Sequence, residues 1–335
     1  MILNEKKRAR GESEGPVIMK SLNKILSMAD AVDRYVKDGD TVYIGGFISH
    51  DPFAAVHEII RQRKRNLTLS KCGGLITLDQ LIGAGCASRV ITSYIWNPIP
   101  KPAHAFVRAL REDNPGRIEL EEYPILALAL SYFAGALDLP YVATKTVMGA
   151  DFSRYRSFLG EGKLKIETSP FTGEKVCLIP PLKHDVGILQ VHRTDAQGNA
   201  QTWGFLGDSK WGLLSCKKII ICAEEIVAQE VVLRDPQRTL IPGFRVDAVV
   251  AEPWGSHPSY LMGCYDLDWL YLALYERETR TADAFGKYLD EWVYGLKDRK
   301  EYLEKLGTAK LEGLKVEPWA GEPVSYGFTP FHQEL

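Results

Sequence analysis

The sequence predicts an open α/β protein, a mostly parallel sheet with helices on both faces and a helical segment at the C-terminal end. Three observations carry this. Short apolar runs alternate with helical patterns along the 335 residues. The runs are apolar at successive positions, so both faces of each strand are buried, as in parallel sheets. Glycines stand where strands give way to helices, most plainly at Gly45-Gly46.

The elements follow in order. Residues 1–21 are polar and charged (Lys6-Lys7-Arg8-Ala9-Arg10), with no apolar core of a signal peptide, and read as a disordered extension. Ser27 with Asp30 resembles a capping box ahead of Ala31, Val32, Tyr35 and Val36, a helical stripe. Strands are expected at 42–44, 67–69, 90–95, 141–148, 186–191, 219–222 and 246–251. Helices are expected near 53–63, 76–83, 103–112, 125–137 and 206–214. Asp51 and Pro52 read as N-cap and first residue of the 53–63 helix. From 266 to about 306 the chain is almost all helical, and Pro318, Pro323 and Pro330 mark an extended tail over 319–335. No repeat or linker divides 22–318, which reads as one domain.

Composition excludes several classes. With 41 basic against 43 acidic residues and a net charge of -2, nothing points to nucleic acid. No apolar run approaches the ~18 residues of a membrane span. The six cysteines form no CxxC or Cys/His cluster, so neither a zinc site nor a disulfide framework is expected and the location reads as cytoplasmic.

Gly45-Gly46-Phe47, after the 42–44 strand, is the most informative stretch. Either the glycines let the chain bend where a side chain would clash, or their bare N–H groups face an anion or oxyanion. Gly73-Gly74 reads as a second such turn, and two on adjacent strands form one backbone-lined pocket. Gly83-Ala84-Gly85 follows a helix and precedes a strand, the wrong order for a dinucleotide fingerprint. Tyr94, Trp96 and Asn97 end a strand and read as substrate wall or as core. Glu224-Glu225 ends the 219–222 run. Adjacent strand residues point oppositely, so one faces a cleft while the other caps the next helix, or the pair is structural, bound to Arg234 or Lys218. His50, His184, His192 and His257 have no serine or cysteine placed by sequence as partner.

These residues resemble a family. Asp38-Gly39, apolar residues and Gly45-Gly46-Phe47 are similar to the N-terminal signature of family I coenzyme A transferases. Cys222-Ala223-Glu224-Glu225-Ile226, Arg234-Asp235-Pro236, Ile241-Pro242-Gly243, His257-Pro258-Ser259 and Glu291-Trp292-Val293-Tyr294-Gly295-Leu296 resemble landmarks of the A-type chain of glutaconate coenzyme A transferases. The resemblance covers about 22–318. It implies an open α/β fold, a homologous B-type chain in a heterodimer or larger assembly, coenzyme A as cosubstrate and no permanently bound cofactor or metal. It also implies that a glutamate in a Ser-Glu-Asn-Gly motif of the B-type chain attacks the acyl-CoA, forming an anhydride and then a glutamyl-CoA thioester. This chain has no Ser-Glu-Asn; Glu12-Ser13-Glu14-Gly15 is no match. The chain is thus expected to shape the acyl pocket with Gly45, Gly46, Phe47, Gly73, Gly74, Tyr94, Asn97 and Glu224. Pro98 and a shorter loop before Pro52 depart from the glutaconate type within that pocket. Relatives that cleave steroid rings or decarboxylate use other chemistry, and Glu122 is the candidate carboxylate if this chain does likewise. The bland reading of Glu121-Glu122 is a solvated pair, and the bland reading of the chain is a scaffold for its B-type partner.

Overall fold

The computed structural model describes residues 24–97, 102–111, 113–114, 116–149 and 157–317. The N-terminal extension, the 319–335 tail and Pro98 lie outside them. Among the described residues twelve strands form two sheets: β1 (Thr41–Ile44), β2 (Leu67–Gly74), β3 (Ala87–Ile95), β4 (Glu119–Glu122), β5 (Val142–Thr144), β6 (Lys165–Thr168), β7 (Lys175–Ile179), β8 (His184–Thr194), β9 (Ala200–Gln201), β10 (Cys216–Ile226), β11 (Thr239–Ile241) and β12 (Ala248–Ala251). The helices are α1 (Met28–Tyr35), α2 (Phe53–Arg61), α3 (Ile76–Gly83), α4 (His104–Ala109), α5 (Ile125–Ala136), α6 (Ser209–Leu214), α7 (Gln229–Arg234), α8 (Trp269–Glu278), α9 (Ala282–Leu289), α10 (Arg299–Leu306) and α11 (Thr308–Leu314).

Seven strands run parallel in the order β12-β10-β8-β1-β2-β3-β4. Short β9 and β11 extend the far end of β8 antiparallel, through Arg193↔Gln201 and Thr194↔Ala200. The chain moves outward from β1 to β4, then returns to the other side of β1 as β8. The β1/β8 junction is therefore the switch point where loops leave in opposite directions and open sheets bind ligands. Both faces of the central strands are covered. Val42, Ile44, Leu67, Leu69, Val90, Val186 and Ile188 join one apolar core with α1–α4 and the C-terminal helices. Tyr43, Ile91, Leu189, Val191, Ile219 and Ile221 join the other with α5 and α6.

Ser27 caps α1 as expected, its hydroxyl accepting from Asp30 N–H. The predicted 141–148 strand is corrected: only Val142–Thr144 is extended, and it pairs antiparallel with β7 in a separate three-stranded sheet. Thr144 Oγ1 accepts from Thr146 N–H at 3.1 Å, a local turn that competes with continued pairing. Pro52, not Asp51, stands at the N-cap of α2, and no side chain caps that helix. Gly73 and Gly74 are the last residues of β2, paired with Tyr94 and Ile95, rather than a turn. Glu225 caps nothing, since α7 begins after Ala228 with no side-chain cap. All six cysteines are free, and no metal-binding cluster of His, Cys, Asp or Glu occurs among the described residues. Among them too, no helix is long and apolar enough to cross a membrane.

Candidate active site

The loop after β1 fills the switch point. Gly45 N–H donates to Ile188 O at 2.8 Å, Gly46 N–H to Ser209 Oγ at 3.2 Å and Phe47 N–H to Ser49 O at 2.9 Å. None of the three N–H groups is bare, so the expectation of free backbone donors here is corrected. The glycines answer to sterics instead. A Cβ on Gly45 would lie 2.7 Å from Leu189 Cδ1, and Gly46, at φ +86°, would place one 2.6 Å from Asp51 N. Ile48 (φ +64°) and His50 (φ +65°) are also left-handed, a conformation that surrounding bonds must hold.

Lys71 holds it. Its fully buried ammonium donates to Gly46 O at 2.6 Å, Gly45 O at 2.7 Å and Ile44 O at 3.3 Å. It also pairs with the equally buried Asp51 at 3.0 Å. Thr77 Oγ1 donates to Asp51 at 3.3 Å, and Ser259 bonds both Asp51 and Ile48 O. Burial pushes the Asp51 carboxyl up from its ordinary value, and Lys71 opposes that push. This clamp was not singled out in the sequence, although one lysine in a strand buried on both faces signals that a buried partner exists.

Phe47 leaves the loop and starts an aromatic wall. Its ring meets Tyr94 at 6.2 Å and Phe205 at 5.4 Å between centroids, both edge-on. Gly73 is small for that reason: a Cβ there would lie 2.7 Å from the Phe47 ring and 2.9 Å from the Tyr94 hydroxyl. Tyr94 and Trp96 are 37% and 38% exposed, so neither is core. Beneath the wall, Asp208 accepts from Tyr43 Oη at 2.7 Å, and burial raises its pKa. Burial, then the Asp208 charge, pushes the Cys72 thiol well above its ordinary pKa, leaving it a poor nucleophile.

Beyond Tyr94 a cleft of ≈ 320 Å³ opens at the carboxyl ends of β3 and β4, lined by Ser93, Tyr94, Glu122, Tyr123, Pro124 and Ile125. A second, of ≈ 300 Å³, runs toward α4 past Phe106 and Leu110 and shares Glu122. The two acidic neighbours differ. Glu121 is buried, bound to Lys163 at 2.6 Å and to Ser157. Glu122 is exposed and has no hydrogen-bond or ion-pair partner among the described residues. The pair is thus not a solvated charge pair: successive strand residues point oppositely.

The remaining candidates lie apart. Asn97 is buried, its amide donating to Pro102 O at 2.7 Å, and it does not line the cleft. Glu224 accepts from Trp254 N–H at 2.7 Å, Gln190 Nε2 at 2.8 Å and Tyr265 Oη at 2.8 Å. It binds neither Arg234 nor Lys218, which pairs with Asp247. Five strand spacings separate β10 from β4, so Glu224 and Glu122 stand about 24 Å apart along the strand ends. The histidines do find hydroxyl partners: His50 Nδ1 with Ser49 at 2.6 Å, His184 Nδ1 with Ser215 at 2.8 Å, His192 Nδ1 with Thr202 at 2.8 Å and His257 Nδ1 with Tyr302 at 2.8 Å. All are buried, and burial lowers each histidine, His50 and His184 to about 3 and His192 and His257 to about 4. Burial favours the neutral imidazole at each, and none of the four lines either cleft.

Fold and site together define an open α/β protein with an aromatic, strand-end cleft. The chain belongs to the coenzyme A transferase family, whose model matches residues 25–252. It is 35% identical over 288 residues to the A subunit of 3-oxoadipate CoA-transferase from Pseudomonas knackmussii, covering 86% of this chain and 99% of that one. It is 33% identical over 315 residues to the A subunit of glutaconate CoA-transferase from Acidaminococcus fermentans, covering 90% and 97%. The solved glutaconate coenzyme A-transferase of that organism superimposes with a TM-score of 0.83 at 32% identity, over 90% of this chain and 98% of that one. The cholesterol ring-cleaving hydrolase IpdA subunit of Mycobacterium tuberculosis is 26% identical over 302 residues, 86% of this chain and 99% of that one. The chain is therefore an A-type member of this family.

Proposed function

We propose that this chain is the A subunit of an acyl-CoA:carboxylate CoA-transferase and works with a homologous B-type chain. One observation carries the reading: a chain that matches A subunits of CoA-transferases along nearly its whole length holds an open cleft at its strand ends, and neither thiol nor hydroxyl near that cleft is activated. The Cys72 thiol is buried and strongly protonated, and the Ser93 hydroxyl is buried with no base bonded to it. Exchange of CoA between two acids needs an attacking carboxylate, and because this chain has no Ser-Glu-Asn string we assign that role to the B-type chain rather than to Glu122. That carboxylate attacks the acyl carbonyl and expels the CoA thiolate, giving a mixed anhydride. The thiolate attacks the enzyme-side carbonyl, releases the first acid and leaves an enzyme–CoA thioester. The second acid's carboxylate repeats the sequence in reverse.

In this reading Phe47, Tyr94, Gly73 and Gly74 form the wall against which the acyl group lies. Gly45 and Gly46 act by letting the loop fold onto Lys71, which fixes Phe47. Asn97 ties down the segment after β3, and Glu224 orders the 254–265 segment at the other end of the sheet. Coenzyme A enters as cosubstrate. The test is transfer of CoA from an acyl-CoA to acetate by the chain alone and by the chain co-expressed with a B-type chain of the same organism. Exchange is expected only in the complex; a fully active isolated chain would refute the assignment.

A second reading is favoured by Glu122, an unpaired carboxylate at the cleft. There it would serve as acid or base in hydrolysis or decarboxylation of a CoA thioester. Glu122→Gln would then lower turnover at least about 100-fold, with ring cleavage or CO2 release in place of CoA exchange.

A further inference from the structure

The switch-point loop is held from two sides. Lys71 and Ser209 hold its first half, at Gly45 and Gly46. Its second half contains the left-handed Ile48 and His50 and takes its bonds largely from the 254–260 segment. Ser259 Oγ donates to Ile48 O, His50 N–H donates to Tyr260 O at 3.3 Å, and Ser49 pairs with Tyr260 as a single β-bridge. Phe47 feels that half directly, since its N–H donates to Ser49 O.

The 254–260 segment is a run of turns, and the C-terminal helices grip its other side. Arg299, at the start of α10, is only 5% exposed. Its Nη2 donates to two carbonyls of the segment, Trp254 O and, at 2.8 Å, His257 O. The guanidinium lies 4.0 Å over the Tyr302 ring. Both ring nitrogens of His257 are fixed as well, Nδ1 by Tyr302 Oη at 2.8 Å and Nε2 by Asp268 at 3.0 Å. A buried guanidinium is costly to desolvate unless fixed acceptors meet it. Left-handed residues other than glycine likewise persist only where their surroundings hold them.

We infer that Arg299 is a positioning residue for the candidate active site. It fixes the Trp254 and His257 carbonyls, and through them Ser259, which holds Ile48 and Asp51 and so sets the place of Phe47 on the acyl wall. α10 lines neither cleft, so the C-terminal helices act on the site through the loop alone. The catalytic consequence rests on the transferase reading; the mechanical coupling stands on the bonds themselves.

The test is amide hydrogen exchange, read by mass spectrometry of peptides, on the complex with the B-type chain. Arg299→Met is expected to speed exchange about tenfold or more in peptides covering 45–51 and 254–260, with β2 unchanged. Arg299→Lys, whose ammonium can donate to the same carbonyls, is expected to restore most of the protection. CoA transfer from butyryl-CoA to acetate should fall about 10- to 100-fold in kcat/KM with Arg299→Met, because the wall is displaced. Loosening of 254–260 with 45–51 unchanged would overturn the inference, as would equal acceleration in β2, which marks general destabilisation. If Arg299→Met does not fold, Ser259→Ala cuts the same path nearer the loop. Faster exchange in 45–51 is then expected, and unchanged protection there would overturn the inference. If the unmodified complex transfers no CoA between any acids, the transferase reading falls, while amide exchange still decides the coupling.

Discussion

The switch-point loop and the edge cleft are built on opposite principles. The loop from Gly45 to Asp51 is over-determined: three left-handed residues, a buried ion pair and bonds from Ser209, Thr77 and Ser259 hold one conformation. The cleft at the ends of β3 and β4 is open, and its polar groups are sparsely partnered: among the described residues Glu122 binds nothing and Ser93 Oγ has no bond. A rigid support beside an unsatisfied surface is how a site is positioned without being filled by its own protein. The conspicuous glycine motif is therefore the support, and on the proposed reading the inconspicuous strand edge is the surface that meets substrate.

The contrast is broken most severely at Lys71. Lys71→Met leaves Asp51 buried and unpaired and frees three carbonyls. It is expected to cost about 3–5 kcal/mol, read as a lower denaturant midpoint, with most of the loss recovered in Lys71→Met/Asp51→Asn. Gly46→Ala follows, since it forces a side chain into a left-handed site against the Asp51 backbone. About 1–3 kcal/mol of destabilisation, with a fall in CoA exchange because Phe47 moves, is the expected result by thermal unfolding and by assay.

A pH experiment sharpens the rigid half. Burial depresses His192 to about 4 from its ordinary 6.5, so between those values the unfolded chain binds a proton that the folded one refuses. Its contribution to stability is complete above pH 6.5 and is lost as pH falls toward 4. His192→Gln should flatten the stability–pH slope in that window by roughly 1.4 kcal/mol per pH unit, measured by denaturant titration at several pH values. The cleft should respond in the reverse manner. Tyr94→Ala is expected to leave stability within about 1 kcal/mol yet lower kcat/KM for CoA exchange about tenfold, roughly the loss of one aromatic contact. Unchanged exchange in a properly assembled complex would favour a scaffold with no part in the chemistry.

Much of this frame was legible in the residues, and the failures have physical causes. The β1 strand and α3 over 76–83 follow from apolar spacing, since burial on both faces leaves an uninterrupted run. The 141–148 run misled because threonines favour strands by propensity while their hydroxyls also close local turns. Asp51 has the chemistry of a cap, but a buried lysine is a stronger partner than a helix N-terminus already started by Pro52. Gly73-Gly74 shows the same ambiguity: glycine marks a turn or a close approach, and here Phe47 makes it the second. The different fates of Glu121 and Glu122 follow from strand alternation. Which of them faces the cleft depends on register with β3, which one sequence does not reveal.

On the transferase reading this chain supplies the walls of a CoA-thioester site while the nucleophile lies on a second chain. The direct measurement is to incubate the complex with acyl-CoA, reduce with borohydride and weigh both chains by mass spectrometry. Reduction of an enzyme–CoA thioester converts one glutamate to an alcohol, and that loss of mass is expected in the B-type chain alone. The same modification on this chain, at Glu122 or elsewhere, would contradict the account.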